Sequence, residues 1–385
     1  MRFFKIYVKI SYFKSMVIKN LDLIKNYKTS CDYFYGNINN NIQKSTHWKV
    51  YDFRNFNLEN LINFRSNNIL SNGLDDQTDK FSFSVYAKIV NEISEDYVLK
   101  NLPKLNVGNS QSLVKFKNVL IDYNKLIHIH WFFTIEREVL KKNKISNICE
   151  TGGGFGSFSE LFIKNYNTKV ISIDLPEANL LSSYYLKETF PEKKIFLYED
   201  YMEKQKLSKQ DYENFDIFIL PPNCHIDNDI KIDFFINARS MMEMNFDVIK
   251  SYFKFIEKYS HEKSYFLNIN RYEKTSVGKP IRISDYPYDD NWKVVISKPS
   301  FNQNWIHFLL TKRNFNKEEN DIKSELNQIR EIGKKFYGLY IDYSPKYIKI
   351  KKLIRKILKI FFLNKLFYLL GVFIFKIGTK LKSLK

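Results

Sequence analysis

The sequence predicts an α/β protein built on a doubly wound sheet, with a helical lobe ahead of it and a basic amphipathic tail behind it. Three observations predict this. Residues 145–177, ISNICETGGGFGSFSELFIKNYNTKVISIDLPE, read as a strand, a glycine-dense turn, a helix and a second strand, which together make one β-α-β unit. Apolar runs of strand length recur at 215–220, 232–236 and 264–269, with helical stretches between them. Two more runs, 292–297 and 305–311, are placed to close the sheet as antiparallel strands. Strands alternating with helices imply a mainly parallel sheet covered on both faces.

In chain order, the expected parts are a basic segment 1–28 with no assignable pattern, a mainly helical lobe 29–143, the sheet domain 144–315, a helical linker 316–345 and the tail 346–385. In the lobe, Leu58, Leu61, Ile62 and Phe64 fit a short helix, which Asn67, Asn68, Asn72 and Gly73 break. Residues 86–99 and 112–141 are helical by periodicity, with an Asn- and Gly-rich loop at 101–110 between them. Arg65 and residues 106–109 are within reach of a cofactor or substrate on one reading, while surface turn chemistry is the favoured explanation of each. His128 and His130 stand two apart in LIHIHWFF, so they face different ways on a helix, which argues against a metal pair and for a core histidine.

The β-α-β unit carries the chemistry. Its first strand runs over Ile145–Cys149 and is followed by Gly152, Gly153, Gly154 and Gly156. Ser157 and Ser159 are the expected caps of the next helix, and Phe158, Leu161 and Phe162 its apolar face. Asn167 and Thr168 end that helix, and the second strand, Val170–Ile173, stops on Asp174. The glycines let the chain turn sharply and let a ligand approach the backbone. A dinucleotide fingerprint, G-x-G-x-x-G, does not fit: the third glycine position is Ser157 counted from Gly152, and Ser159 counted from Gly154. E-x-G-x-G-x-G, from Glu150 to Gly156, does fit, and it is the loop of S-adenosylmethionine-dependent methyltransferases. That cofactor has no phosphate and carries an ammonium and a sulfonium, so a carboxylate at the strand tip suits it and would repel pyrophosphate. The expected cofactor residues are therefore Glu150, Gly152, Gly154, Gly156 and Asp174, with Asp174 accepting from both ribose hydroxyls.

Residues 215–220, rather than 194–198, read as the third strand, which places Pro221, Pro222 and Asn223 near adenine. The fourth strand, 232–236, leads into NARSMMEMN, and the fifth, 264–269, ends in Asn270-Arg271-Tyr272. Ligands of open α/β sheets sit beyond the carboxyl ends of the strands. That rule selects Asn237 for the cofactor, and Arg239, Ser240, Asn270, Arg271, Tyr272 and Trp305 for the substrate. Glu243 is the first candidate for a general base and His307 the second, while Met241, Met242 and Met244 read as core filling. No residue spacing calls for a metal, and a divalent ion stays open.

The chain has 385 residues and a formal net charge of +19. Residues 346–385 hold twelve Lys or Arg and no acid, so most of the excess is in the tail, which argues against nucleic acid as a partner. Within the tail, Ile350, Leu353, Ile354, Ile357, Leu358 and Phe361 make one helical stripe, with lysines and arginines on the rest of the surface. The apolar run 366–375 is ten residues long, well short of the ~20 that span a bilayer. The expectation is an interfacial anchor on anionic lipid. Three cysteines with no metal or disulfide spacing suggest a reducing cytoplasm, and the lysine-interrupted N-terminus lacks a signal-peptide core.

Six segments, CETGGGFGSFSELF, IDLPEANLLSSYYL, FFINARSMMEMN, NINRY, YPYDDNW and SFNQNWIHFLLTKR, together resemble a family of sugar O-methyltransferases encoded in bacterial surface-polysaccharide loci. The likeness runs from about Trp48 to Arg313 and leaves out both basic termini. It implies a Rossmann-like class I methyltransferase fold, S-adenosylmethionine as cofactor and a saccharide hydroxyl as acceptor, whether nucleotide-, lipid- or polymer-linked. Two rival readings are an NAD(P)-dependent oxidoreductase and a non-catalytic membrane-associated protein that keeps the fold. The Glu150 loop argues against the first, and the intact loop against the second.

Overall fold

No periodicity announces the first described helix, α1 (20–36 among the described residues), yet it buries Leu23, Ile24 and Tyr27. The structure is a computed structural model and describes residues 20–36, 48, 56–67, 79–316 and 321–337; the tail and most of the basic N-terminal segment lie outside the described residues. Helix α2 (Leu58–Ile62) opens with Asn57 and Asn60 capping each other's backbone N–H groups, and Asn63 separates it from α3 (Phe64–Asn67). The stretch expected as one helix at 86–99 is two, α4 (Asp79–Glu92) and α5 (Glu95–Asn101), because Ser94 caps the second and accepts from the Tyr97 N–H at 3.4 Å.

The helix expected to begin at 112 begins later. In its place stands a hairpin, β1 (Val114–Phe116) and β2 (Val119–Ile121). Its turn residues Lys117 and Asn118 are both left-handed, with φ of 44° and 63°, the geometry that matches a two-residue turn to strand twist. Asp122 then caps α6 (Tyr123–Ile135), accepting from the N–H groups of Asn124 and Lys125. Helix α6 runs into a π-helical turn, Glu136–Leu140. Its residues are buried nearly all round, as in an interior helix. Leu126, Ile127, Ile129 and Phe132 share one apolar cluster with Ile148, Phe162 and Phe234 of the sheet domain, so the lobe and the sheet have a common core.

The sheet elements follow in order: β3 (Asn147–Thr151), α7 (Ser159–Tyr166), β4 (Lys169–Ile173), α8 (Pro176–Thr189), β5 (Ile195–Phe196), α9 (Tyr198–Lys204), α10 (Lys209–Asn214), β6 (Ile217–Leu220), β7 (Phe234–Ala238), α11 (Phe246–Tyr259), β8 (Tyr265–Arg271), β9 (Trp292–Ser300), β10 (Gln303–Arg313) and α12 (Ile322–Gly333). The strand order is β5-β6-β4-β3-β7-β8-β10-β9, parallel from β5 to β8, with β10 antiparallel to both neighbours. This is a doubly wound, Rossmann-like sheet. Strand β6 lies beside β4, so 215–220 does hold the third strand, and the run at 194–198 shrinks to a two-residue edge. The order reverses between β3 and β7, and the carboxyl ends at such a switch point are the crevice position where ligands of open α/β sheets sit. Helix α12, inside the expected linker, sinks Ile322 and Ile329 into a second core with Trp292 and Leu309.

Candidate active site

The turn after β3 depends on left-handed glycines: φ is 71° at Gly152, 61° at Gly154 and 85° at Gly156. A Cβ at Gly152 would overlap the Ser240 hydroxyl, and one at Gly156 would press on Leu186 at 3.1 Å. A Cβ at Gly154 would meet nothing within 4 Å, so the loop is open there. The two serines expected as caps of α7 do not cap it. Ser159 gives its hydroxyl to Glu150, and Ser157 faces His128 Nδ1 at 3.4 Å.

Two carboxylates flank this loop. Asp174, just past β4, accepts from the Gly154 N–H at 2.9 Å and from the Leu175 N–H at 2.7 Å. Glu150, 2% exposed, lies beneath Gly153. Burial pushes Asp174 up to about 7; the two backbone bonds pull the other way, and the charges of Glu177 and Glu243 add to the rise. Burial also pushes Glu150 up to about 7 against the pull of the Ser159 hydroxyl, with the Asp174 charge adding to the rise. Each folded-state value lies above the unfolded one, so the ligand-free protein is expected to lose stability as pH rises from about 4 to 7. A cationic ligand needs the ionised forms. Its affinity is expected to climb toward pH 7, by up to roughly tenfold per unit for each carboxylate that must ionise, and to level off above. Calorimetry across that range, in two buffers of different protonation heat, reads this directly; flat affinity would refute it.

Helix α6 clamps the loop from the lobe side. Lys125, 1% exposed, pairs with the Glu160 carboxylate and donates to the Ser157 carbonyl at 2.5 Å. The Tyr185 hydroxyl donates to the same Glu160 oxygen at 2.5 Å. Arg65 is not a surface residue: its guanidinium meets Asp122, the cap of α6, at 2.7 Å, with both side chains buried. His128 rests between Trp131 and Phe158, with ring centroids 5.3 and 5.2 Å away, and burial holds it well below its ordinary range.

The loop after β7 is pinned from below. Asn237, Asn268 and Asn270 are fully buried and bonded in a ladder: Asn270 Nδ2 donates to Asn237 Oδ1 at 2.9 Å and to Asn268 Oδ1 at 2.6 Å. The Asn237 amide also donates to the Thr151 carbonyl at 2.8 Å and to Ser240 Oγ at 2.6 Å. The Met241 and Met242 N–H groups donate to Asn237 and Asn270. Asn237 and Asn270 therefore fasten the loop, and their amide groups are committed to protein partners. Arg239, left-handed at φ 64°, reaches Asn124 Oδ1 at 3.0 Å across the face of Trp131. Glu243 pairs with Lys274, whose ammonium burial pushes down and Glu243 holds up. Arg271 adds positive charge that acts on both Lys274 and Arg239.

The structure moves three expected residues elsewhere. Tyr272 is 1% exposed, its ring stacked on Phe336 at 5.3 Å and its hydroxyl 3.0 Å from His307 Nδ1. His307 Nε2 meets Ser297 Oγ at 2.8 Å, so both ring nitrogens serve protein partners. Burial drives His307 down to about 3, which makes it a poor base. Trp305 lines an open groove of about 500 Å³ with Lys88, Glu92, Phe301 and Asn302, between α4 and the β9–β10 turn. Asn223, exposed and left-handed, stands at the tip of β6 across a small cavity from Ile173. The residues that sequence reasoning missed are Lys125, Asn124, Trp131 and Lys274; each stands in a run that local pattern alone reads as ordinary helix or loop. Among the described residues, no group of three or more His, Cys, Asp or Glu is placed to hold a metal ion.

No family model matches the chain, and no curated protein matches it. Solved structures overlap part of it. The mitomycin 7-O-methyltransferase is 12% identical over 50% of this chain and 57% of its own, with a TM-score of 0.31. An O-methyltransferase family 2 protein from Planctomyces limnophilus DSM 3776, solved in complex with apigenin, is 11% identical over 49% and 57%, at 0.30. A glycopeptide N-methyltransferase complexed with sinefungin is 10% identical over 46% and 91%, at 0.28. The chain spans little more than half the length of the first two, and overlap at this level assigns no activity.

Proposed function

We propose that the chain is an S-adenosylmethionine-dependent O-methyltransferase that acts on a sugar hydroxyl in surface-polysaccharide synthesis. One observation carries the reading: the carboxylates of Asp174 and Glu150 flank a glycine loop that is open at Gly154. Such a site offers acceptors to hydroxyl and ammonium donors and disfavours pyrophosphate. The residues present fit the cofactor. Asp174 would accept from its ribose, the backbone at Gly152–Gly156 would lie against it, and Asn223 is the proposed contact on the adenine side. When bound, it supplies an electrophilic sulfonium methyl.

A sugar hydroxyl is a weak nucleophile, so a positioned base takes its proton. Glu243 is the proposed base, with Lys274 fixing the carboxylate's orientation. The sugar acceptor rests on the six sequence segments quoted above. Saturable calorimetric binding of S-adenosylmethionine with none of NAD is the expected result; the reverse would favour the oxidoreductase. Glu243→Gln should keep cofactor affinity and lose about 10²–10⁴-fold in turnover, and unchanged turnover would remove Glu243 from this role. Mass spectrometry of surface glycan with and without the protein tests the acceptor.

We also propose peripheral attachment to the inner membrane face through residues 346–385. No described helix is long and apolar enough to cross a membrane. Binding to anionic liposomes is expected to fall with salt, since each basic residue contributes about 1 kcal/mol at such a surface. The apolar stripe should leave a salt-resistant remainder, and deleting the tail should release the protein with cofactor affinity intact. Indifference to anionic liposomes would defeat the attachment.

A further inference from the structure

Among the described residues, none neutralises the charge of Arg239. Its guanidinium donates from Nη2 to the neutral amide oxygen of Asn124 at 3.0 Å, and its carbon lies 5.7 Å from the Trp131 ring centre. Among the described residues, no carboxylate comes within ion-pair distance of it, and Nε and Nη1 have no hydrogen-bond acceptor. Glu243, the carboxylate whose field reaches Arg239, is itself bound by Lys274. Arg271 adds positive charge nearby. Charged side chains removed from water are ordinarily paired, so a half-buried guanidinium with a neutral partner is a group waiting for an anion.

The backbone points the same way. A left-handed φ of 64° on a residue with a long side chain is unfavourable and persists only where its surroundings hold it. Here they do. The Arg239 N–H donates to the Ile269 carbonyl at 2.7 Å, and the next residue, Ser240, donates to the Thr151 carbonyl at 3.1 Å. The kink turns the side chain out of the sheet toward α6, directly beside the residue that packs on Gly152.

We propose that Arg239 is an anion subsite and that the acceptor is an acidic sugar, one bearing a carboxylate or a phosphate that docks on this guanidinium while Arg271 and Lys274 lend their field. The inference rests on the methyl-transfer reading of the same crevice. A guanidinium presents parallel N–H donors in a fixed plane, which matches either anion in a bidentate way, and Trp131 and Asn124 fix that plane in advance. A neutral sugar would leave the charge as it is now.

The test titrates the full-length protein, with S-adenosylhomocysteine present, against glucuronate, glucose 1-phosphate and glucose. At least one acidic sugar is expected to bind roughly tenfold or more tightly than glucose, and the one that does tells carboxylate from phosphate. Arg239→Gln should remove that advantage without changing S-adenosylhomocysteine affinity, and Arg239→Lys should recover part of it. Glucose binding as well as both anions, neither anion binding at millimolar concentration, or full affinity in the folded Gln variant would overturn the proposal. Cofactor binding is measured separately. If it fails while an acidic sugar still binds through Arg239, the subsite stands and the methyl-transfer reading falls.

Discussion

Lys125→Met is expected to cost about 3–5 kcal/mol of folding stability, the usual penalty for leaving one member of a buried ion pair alone. The Lys125 and Glu160 side chains are 1% and 4% exposed, so water cannot replace the lost ammonium. The Ser157 carbonyl would lose its donor at the same time, and the glycine loop its tie to α6. Urea denaturation measures the loss. The double variant Lys125→Met with Glu160→Gln should regain much of it, because no charge is then left buried. A loss under about 1 kcal/mol, typical of an exposed pair, would mean that the pair is not sealed and that α6 does not clamp the loop.

Asp174→Ala should abolish most cofactor affinity while leaving the fold intact. Two hydrogen bonds to a charged acceptor contribute about 1.5–3 kcal/mol each. Their loss corresponds to roughly 10²–10⁴-fold in affinity. The ligand-free variant should lose only about 1–2 kcal/mol near neutral pH, since the two lost backbone bonds are partly offset by removal of a carboxyl that burial pushes up to about 7. That pairing of effects separates a binding residue from a structural one. An affinity change of less than tenfold, or a fall in stability instead of affinity, would remove Asp174 from the proposed site.

The strand-turn-helix-strand core of this protein was legible because its signals are local: apolar runs, glycines that must be left-handed, and a carboxylate that ends a strand. The hairpin at 114–121 was not, because Lys117-Asn118 carries no glycine to mark the turn. Polar residues at strand ends looked like cleft residues, and at Asn237 and Asn270 that inference misled. Asn237 stands opposite Asn268 in the β7–β8 register, and the Asn270 amide donates to both below the loop, a pairing visible only once the strands are laid side by side. His307 failed for a similar reason: its partner Ser297 comes from β9 and its partner Tyr272 from just past the end of β8. Lys125 was overlooked because a lysine on a helix is ordinarily solvated; its acid is 35 residues away.

The burial of α6 has a consequence for how the chain is made. Its indole, Trp131, donates to Ser300, 169 residues later, and the neighbouring His130 stacks on Phe301. At ~5–20 residues per second, synthesis leaves this helix without that strand for roughly ten to thirty seconds after it emerges from the ribosome. Throughout that interval its apolar surface is exposed to every other nascent chain. Contacts so distant in sequence also slow closure of the completed chain. Chaperone demand should therefore centre on residues 123–140, and a fragment starting at 144 would leave the ribosome with Ile148, Phe162 and Phe234 uncovered and prone to clump.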